Sequence, residues 1–267
     1  MRRPNHAGEA CLAPTSTNMP YKKLHIEIKN GVGYIRMSSG NRFNKLTINT
    51  LRELKRAVAE LEADPAAICI VVTGHPGESF AVGADIGQMA KFSSLEALTF
   101  AELGQSLFAT MEQCPKPVIG ALNGITMGGG CDLALACDIR LASEALVIAH
   151  PGAKLGIITG FCGTQKLPRL VGKNMAREIF MTSEPYSAAD ALRMGLVDRL
   201  CPVEEFWPAV TLLAEKIARN DPAPLAMAKR AINAAEDVDL KNGCALESAS
   251  FATLFAAKHE GTVDVVS

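Results

Sequence analysis

The chain lacks the marks of several functional classes. Its Lys and Arg number 27 against 28 Asp and Glu, a formal net charge of −1, so it carries no basic footprint for nucleic acid. Eight cysteines are scattered through 267 residues with no C-x-x-C pair and no Cys/His cluster at zinc spacing, which argues against a metal site. Cysteines used in this way fit a reduced, cytoplasmic chain. No apolar run approaches the ~20 residues that span a bilayer, so no membrane partner is expected. Residues 1–18 open with Arg2-Arg3 but have no apolar core behind them, so a secretory signal fails, and this polar, aperiodic stretch reads as a disordered extension. Also missing are a G-x-G-x-x-G at the first strand, a P-loop and a G-x-S-x-G nucleophile elbow.

What is present is a large apolar fraction, 48 %, enough for one large α/β domain or a domain with a small appendage. Residues 23–29 alternate apolar and polar, Asn30-Gly31 signals a hairpin, and 32–37 returns as its second strand. Thr47 can cap a helix running to about 64, with Leu51, Leu54, Val58 and Leu61 on one face. Residues 68–73 (ICIVVT) read as a buried strand, followed by a glycine-rich loop over 74–85. Ser93 and Glu96 form a capping box for a helix to about 113. Short strands are expected at 139–142 and 146–149, a third glycine loop over 150–164, and helices near 165–170 and 173–181. After Ser187 and Asp190, which cap a short helix, the chain is helical over about 206–219, 224–236 and 240–259.

The stretch 115–138 (PKPVIGALNGITMGGGCDLALACD) organises the rest. Its prolines stop the preceding helix, and 118–123 is an apolar run of strand length. Gly124 and Gly128-Gly129-Gly130 then lead into an amphipathic helix. Glycines at a helix start leave backbone N–H groups bare, with no Cβ to keep a ligand away. Asp132, three residues after Gly129, faces the same side of that helix. If the strands at 68–73 and 118–123 are parallel neighbours, their glycine loops meet at one sheet edge. Two N–H donors could then converge on one carbonyl oxygen that becomes an oxyanion, an effect worth several kcal/mol (order of magnitude). Asp132 beside them, with its charged form favoured near a helix N-terminus, reads as a base. The competing reading is structural: glycines serving close packing and a first-turn aspartate serving the helix.

Over about residues 21–261 the chain resembles the crotonase (enoyl-CoA hydratase/isomerase) family. The resemblance is carried by Asn44 and the helix after it, SFAVGADIGQM at 79–89, KPVIGALNGITMGGGCDLALACDIRLAS at 116–143, LGIITGFCGTQKLPRLVG at 155–172 and SAADALRMGLV at 187–197. It implies an α/β fold, a crotonase-like spiral of β-β-α units with a C-terminal helical trimerisation region. The expected division is an extension at 1–18, a spiral core with the acyl-CoA site at 19–200 and a helical region at 201–267. By position, the N–H groups of Ala84 and Gly129 would hold a thioester oxygen, and Val82, Asp85, Gly128, Gly152 and Phe161 would meet the substrate, with Asp85 read as a cap of the turn after its loop rather than as a chemical group. The resemblance further implies an acyl-CoA substrate, no cofactor beyond the coenzyme A it carries, and a homotrimer or dimer of trimers.

Two departures bear on the reaction. Hydratases of the family carry a glutamate after GGGC and a second one in a Pro-Glu pair on the next glycine loop; here those positions are Asp132 and Gly152. Asp132 is then the one obvious base, which suits single-base chemistry of hydratase/isomerase type. The loop HPGAKLG at 150–156 is similar to that of dihydroxynaphthoyl-CoA synthases, some of which leave room there for a bicarbonate acting as base. The alternative is therefore water or an anion in the Gly152 gap, with Lys154 nearby in sequence, serving ring closure, C–C cleavage or dienoyl-CoA hydration. A non-catalytic CoA-binding scaffold is the alternative of another class. His150 is either an acid/base or a loop residue bonded to backbone. Phe161 and Cys162 stand where many members have small residues, and Arg42, Lys45, Lys22 and Lys258 are candidates for the CoA phosphates.

Overall fold

The computed structural model describes residues 20–38, 43–74 and 77–259. The extension expected at 1–18, Arg42 and the Lys258 side chain lie outside the described part. Strands β1 (Leu24–Lys29) and β2 (Val32–Met37) form the expected antiparallel hairpin, in register from Leu24↔Met37 to Lys29↔Val32. Its turn residues Asn30 and Gly31 both have positive φ, 51° and 76°, the twist a two-residue hairpin requires. Helix α1 (Ile48–Ala63) begins where Thr47 accepts from the Thr50 N–H, and buries Leu51, Leu54, Val58 and Leu61.

From there each unit sends one strand to each of two sheets and returns by helix. β3 (Cys69–Gly74) and β4 (Ser79–Ala81) precede α2 (Ile86–Met89) and α3 (Ser94–Gln113). β5 (Val118–Leu122) and β6 (Ile125–Met127) precede α4 (Gly129–Leu135). β7 (Ile139–Ser143) and β8 (Val147–Ala149) precede α5 (Gly163–Val171) and α6 (Lys173–Thr182). β9 (Tyr186–Ser187), α7 (Ala188–Arg193) and β10 (Arg199–Cys201) follow. The main sheet runs β1-β2-β3-β5-β7-β10, parallel after the hairpin; the second runs β4-β6-β8-β9.

The main sheet is covered on both faces, so its central strands are apolar throughout. Ile70 and Val72 of β3 point into the core with α1 and α3, while Cys69 and Val71 point the other way. There they meet Phe206, Val210, Leu213 and Ala214 of α8 (Phe206–Ala218). α9 (Pro222–Ala234) carries Lys229, which is buried. Its ammonium lies 2.8 Å from Asp138 Oδ2 and donates to the carbonyls of Met111 and Lys116. The same carboxylate accepts from the Val118 N–H, so one ion pair ties α9, the end of α3 and the start of β5. α10 (Leu240–His259) packs on α9.

Three local expectations change. The segments 74–85 and 124–130 contain β4 and β6, three residues each and too short to announce themselves in the sequence. They exist because they pair with each other and β6 with β8. Helix α9 starts at Pro222, earlier than 224, with Asp221 accepting from the Ala223 N–H as its cap and proline at its first position. Helix α5 starts at Gly163, earlier than 165, from a Cys162 held at φ 67°. Among the described residues no helix is long and apolar enough to cross a membrane, and no group of three or more His, Cys, Asp or Glu is placed to hold a metal ion.

Candidate active site

β3 and β5 are parallel neighbours, and the segments after them approach each other as β4 and β6. Gly83, at φ 80°, is one point of close approach: a Cβ there would stand 2.8 Å from the Met127 carbonyl oxygen and 3.0 Å from the Gly129 nitrogen. The loop carrying Ala84 is fixed by Val82 N–H donating to Asn44 O and Leu46 N–H donating to Gly83 O. Gly128 has φ 54° and ψ −120° with open space around it, so its demand for glycine is conformational. Gly130 is different, because a Cβ there would collide with the Ala81 carbonyl. The packing reading of the triplet thus holds for Gly130. Among the described residues, no backbone carbonyl accepts from the N–H of Ala84 or of Gly129.

Asp132 sits on the first turn of α4 and is fully buried. Its Oδ1 lies 3.0 Å from His150 Nε2, and its Oδ2 accepts a short hydrogen bond from the Thr159 hydroxyl. Thr159 Oγ1 in turn accepts from the Phe161 N–H at 3.2 Å. His150, which follows β8 directly, is 2 % exposed, and its ring centroid is 4.4 Å from that of Phe180. It bonds to a side chain across the site and not to its own loop. Thr159 went unnoticed in the sequence, where it is one polar residue within an apolar glycine loop. Gly163 also matters: a Cβ there would overlap Asp132 Oδ1.

These groups open on a cavity of about 730 Å³. Val82, Ala84, Gly128 and Gly129 line it, together with Asp132, His150, Gly152 and Phe161. Asp132 and His150 are the ionisable side chains of that lining. Ile86, Met89, Phe92, Phe100 and Leu155 supply apolar wall, and Phe161 packs at ring centroid distances of 5.1 and 5.8 Å on Phe100 and Phe108. Asp85 is not part of the wall. Its carboxylate accepts from the Gly87 and Gln88 N–H groups as the cap of α2 and pairs with Lys45 at 3.1 Å, which holds it below its ordinary pKa. Lys154 points elsewhere too, pairing with Glu184 at 2.7 Å on the surface. At Gly152 the place of a Cβ lies 2.9 Å from the Ile157 carbonyl oxygen. Burial pushes the thiols of Cys131 and Cys162 up, away from thiolate.

The enoyl-CoA hydratase/isomerase family model matches residues 27–264. The crotonyl-CoA hydratase of Syntrophomonas wolfei is 36 % identical over 242 residues, covering 91 % of this chain and 93 % of that protein. The mitochondrial enoyl-CoA hydratase of Pongo abelii is 41 % identical over 231 residues, covering 85 % and 77 %. A crystal structure of enoyl-CoA hydratase from Bacillus anthracis superposes with a TM-score of 0.85 at 31 % identity, covering 88 % of this chain and 92 % of that one. The chain belongs to the enoyl-CoA hydratase/isomerase family. It is an enzyme of that family, and its ββα spiral with C-terminal helices is the crotonase fold.

Proposed function

We propose that this enzyme hydrates the double bond of a 2-enoyl-CoA, reversibly, through a thioester enolate. The N–H groups of Ala84 and Gly129 receive the thioester oxygen as it gains charge, and the Asp132–His150 pair handles the proton. The observation that carries the reading is the 3.0 Å contact between Asp132 and His150 on the wall of the cavity that Ala84 and Gly129 also line. Donors placed for the charge that develops in the transition state are worth about 10²–10³ in rate each, and a positioned acid/base group about 10²–10⁴. The apolar wall suits a hydrocarbon acyl group. No cofactor is needed beyond the coenzyme A of the substrate.

A single acid/base pair also suffices to shift a double bond along the chain, and this isomerisation is the second reading. The Gly152 position favours water over bicarbonate as a guest: an anion needs donors, and the nearest group there is the Ile157 carbonyl, an acceptor. A mixed acyl-CoA panel incubated in heavy-oxygen water, with products read by mass spectrometry, separates these outcomes. Heavy oxygen in a 3-hydroxyacyl-CoA supports hydration, and a shifted double bond without it supports isomerisation. CoA-thioester binding with no product of any kind would reject both in favour of a non-catalytic scaffold.

A further inference from the structure

Resting on the acyl-CoA reading above, we infer that His150 is the group that exchanges the proton with water and substrate, while Asp132 and Thr159 are positioning residues that hold its ring for the task. Both oxygens of Asp132 are engaged, Oδ1 by His150 Nε2 and Oδ2 by the Thr159 hydroxyl. The Phe161 N–H donates to Thr159 Oγ1, so the hydroxyl proton is left to point at the carboxylate. An ionised carboxylate only accepts. His150 Nε2 therefore carries its proton toward Asp132, and Nδ1 is left with the lone pair.

That Nδ1 is the informative atom. It is buried and has no hydrogen-bond partner, on a ring that lines the reaction cavity. A buried polar atom left unsatisfied costs about 1–3 kcal/mol, and in a native structure it calls for an explanation such as a catalytic role. Nδ1 is closed to solvent, so the role requires the ring to turn toward the cavity, where a water or substrate supplies the missing partner. The arrangement follows the logic of a carboxylate that fixes tautomer and orientation while the imidazole moves the proton.

The step balances with one imidazole. Nδ1 takes a proton from water as the oxygen forms its bond to C3, and the C2–C3 π pair moves toward the thioester oxygen at Ala84 and Gly129. When the enolate collapses, C2 takes the proton from Nδ1–H. Water and enoyl thioester become a 3-hydroxyacyl thioester, with Asp132 ionised throughout and the imidazole restored.

The test uses the full chain with a panel of short and medium 2-enoyl-CoA thioesters. His150→Gln is expected to lower kcat by about 10²–10⁴ with KM little changed. Asp132→Asn should fall similarly, and the double variant should be no slower than the slower single one, because the two act as a unit. Thr159→Val should lose about 10-fold in kcat, an amount that fits one misplaced supporting group, and Thr159→Ser should restore it. A His150→Gln enzyme with near wild-type kcat would overturn the role, as would losses in the double variant that multiply. Nitrogen NMR of His150 in the wild-type protein tests the tautomer without turnover, and a proton resident on Nδ1 overturns this role alone. Absence of wild-type turnover on every thioester overturns the acyl-CoA reading and this role with it.

Discussion

Replacing Gly163 by alanine tests the geometry of the site with one carbon atom. Gly163 opens α5 and is not among the residues with positive φ, so alanine suits its backbone. In a helix alanine is favoured over glycine by about 0.8–1.0 kcal/mol. The new Cβ, however, would overlap Asp132 Oδ1 and come within 3.0 Å of the Asp132 Cγ and the Thr159 Cγ2. Ordinary contact begins near 3.4 Å, so the carboxylate must retreat by about 1 Å or more, and a misplacement of about 1 Å costs on the order of 10²-fold in rate. The same movement weakens the bond to His150, a charge-assisted contact worth about 1.5–3 kcal/mol. Set against the helix gain, the net loss of stability is about 0.5–2 kcal/mol. At about 2–4 °C per kcal/mol for a chain near this size, Tm should drop by less than about 8 °C. The expected result is a folded protein that binds acyl-CoA and has lost about two orders of magnitude in kcat. Calorimetry gives Tm, and steady-state kinetics separates kcat from KM. A Gly163→Ala enzyme with undiminished kcat would refute the claim that the position of this carboxylate matters.

Four further outcomes are expected. Gly129→Pro removes a donor N–H at the first residue of α4, where proline is tolerated, so kcat should fall about 10²–10³-fold with CoA affinity reduced less; a folded variant at wild-type rate would reject the oxyanion assignment. Lys229→Met strands Asp138, whose carboxyl burial already pushes above the usual range, and urea titration should show a loss of about 3–5 kcal/mol. The folded state of that variant holds the Asp138 proton more tightly than the unfolded chain does, so the deficit should shrink as pH falls through the raised pKa; a deficit independent of pH would contradict the assignment. Gly152→Glu must displace the Ile157 carbonyl, so Tm should fall, and unchanged Tm with faster hydration would mean that the position is open. The exposed Phe251 and Phe255 of α10, paired at 4.8 Å, suit burial between copies, and light scattering should report a trimer or a dimer of trimers; a monomer alone would count against it.

The sequence by itself determined the elements whose signals are local. The Asn30-Gly31 turn, the Thr47 cap, the Ser93–Glu96 capping box and the amphipathic face of α1 all depend on residues within a few positions of one another. It also determined the two glycine loops and Asp132, because glycine and a nearby carboxylate carry chemistry that can be read from type and spacing. Only the tertiary structure decided what Asp132 touches. His150 is 18 residues away and Thr159 is 27, on a loop whose path no periodicity encodes. The same holds for β4 and β6, three residues each, since a strand that short is defined by the neighbour it pairs with. Lys154 shows the reverse. Its place near Gly152 in sequence invited a role in the site, and the fold gives it to a surface ion pair, whereas Asp85 takes the capping role its position after the loop suggests. Side-chain chemistry is local to the residue, but the direction in which a side chain points is set by contacts distant in sequence, and that part of the site became legible only in three dimensions.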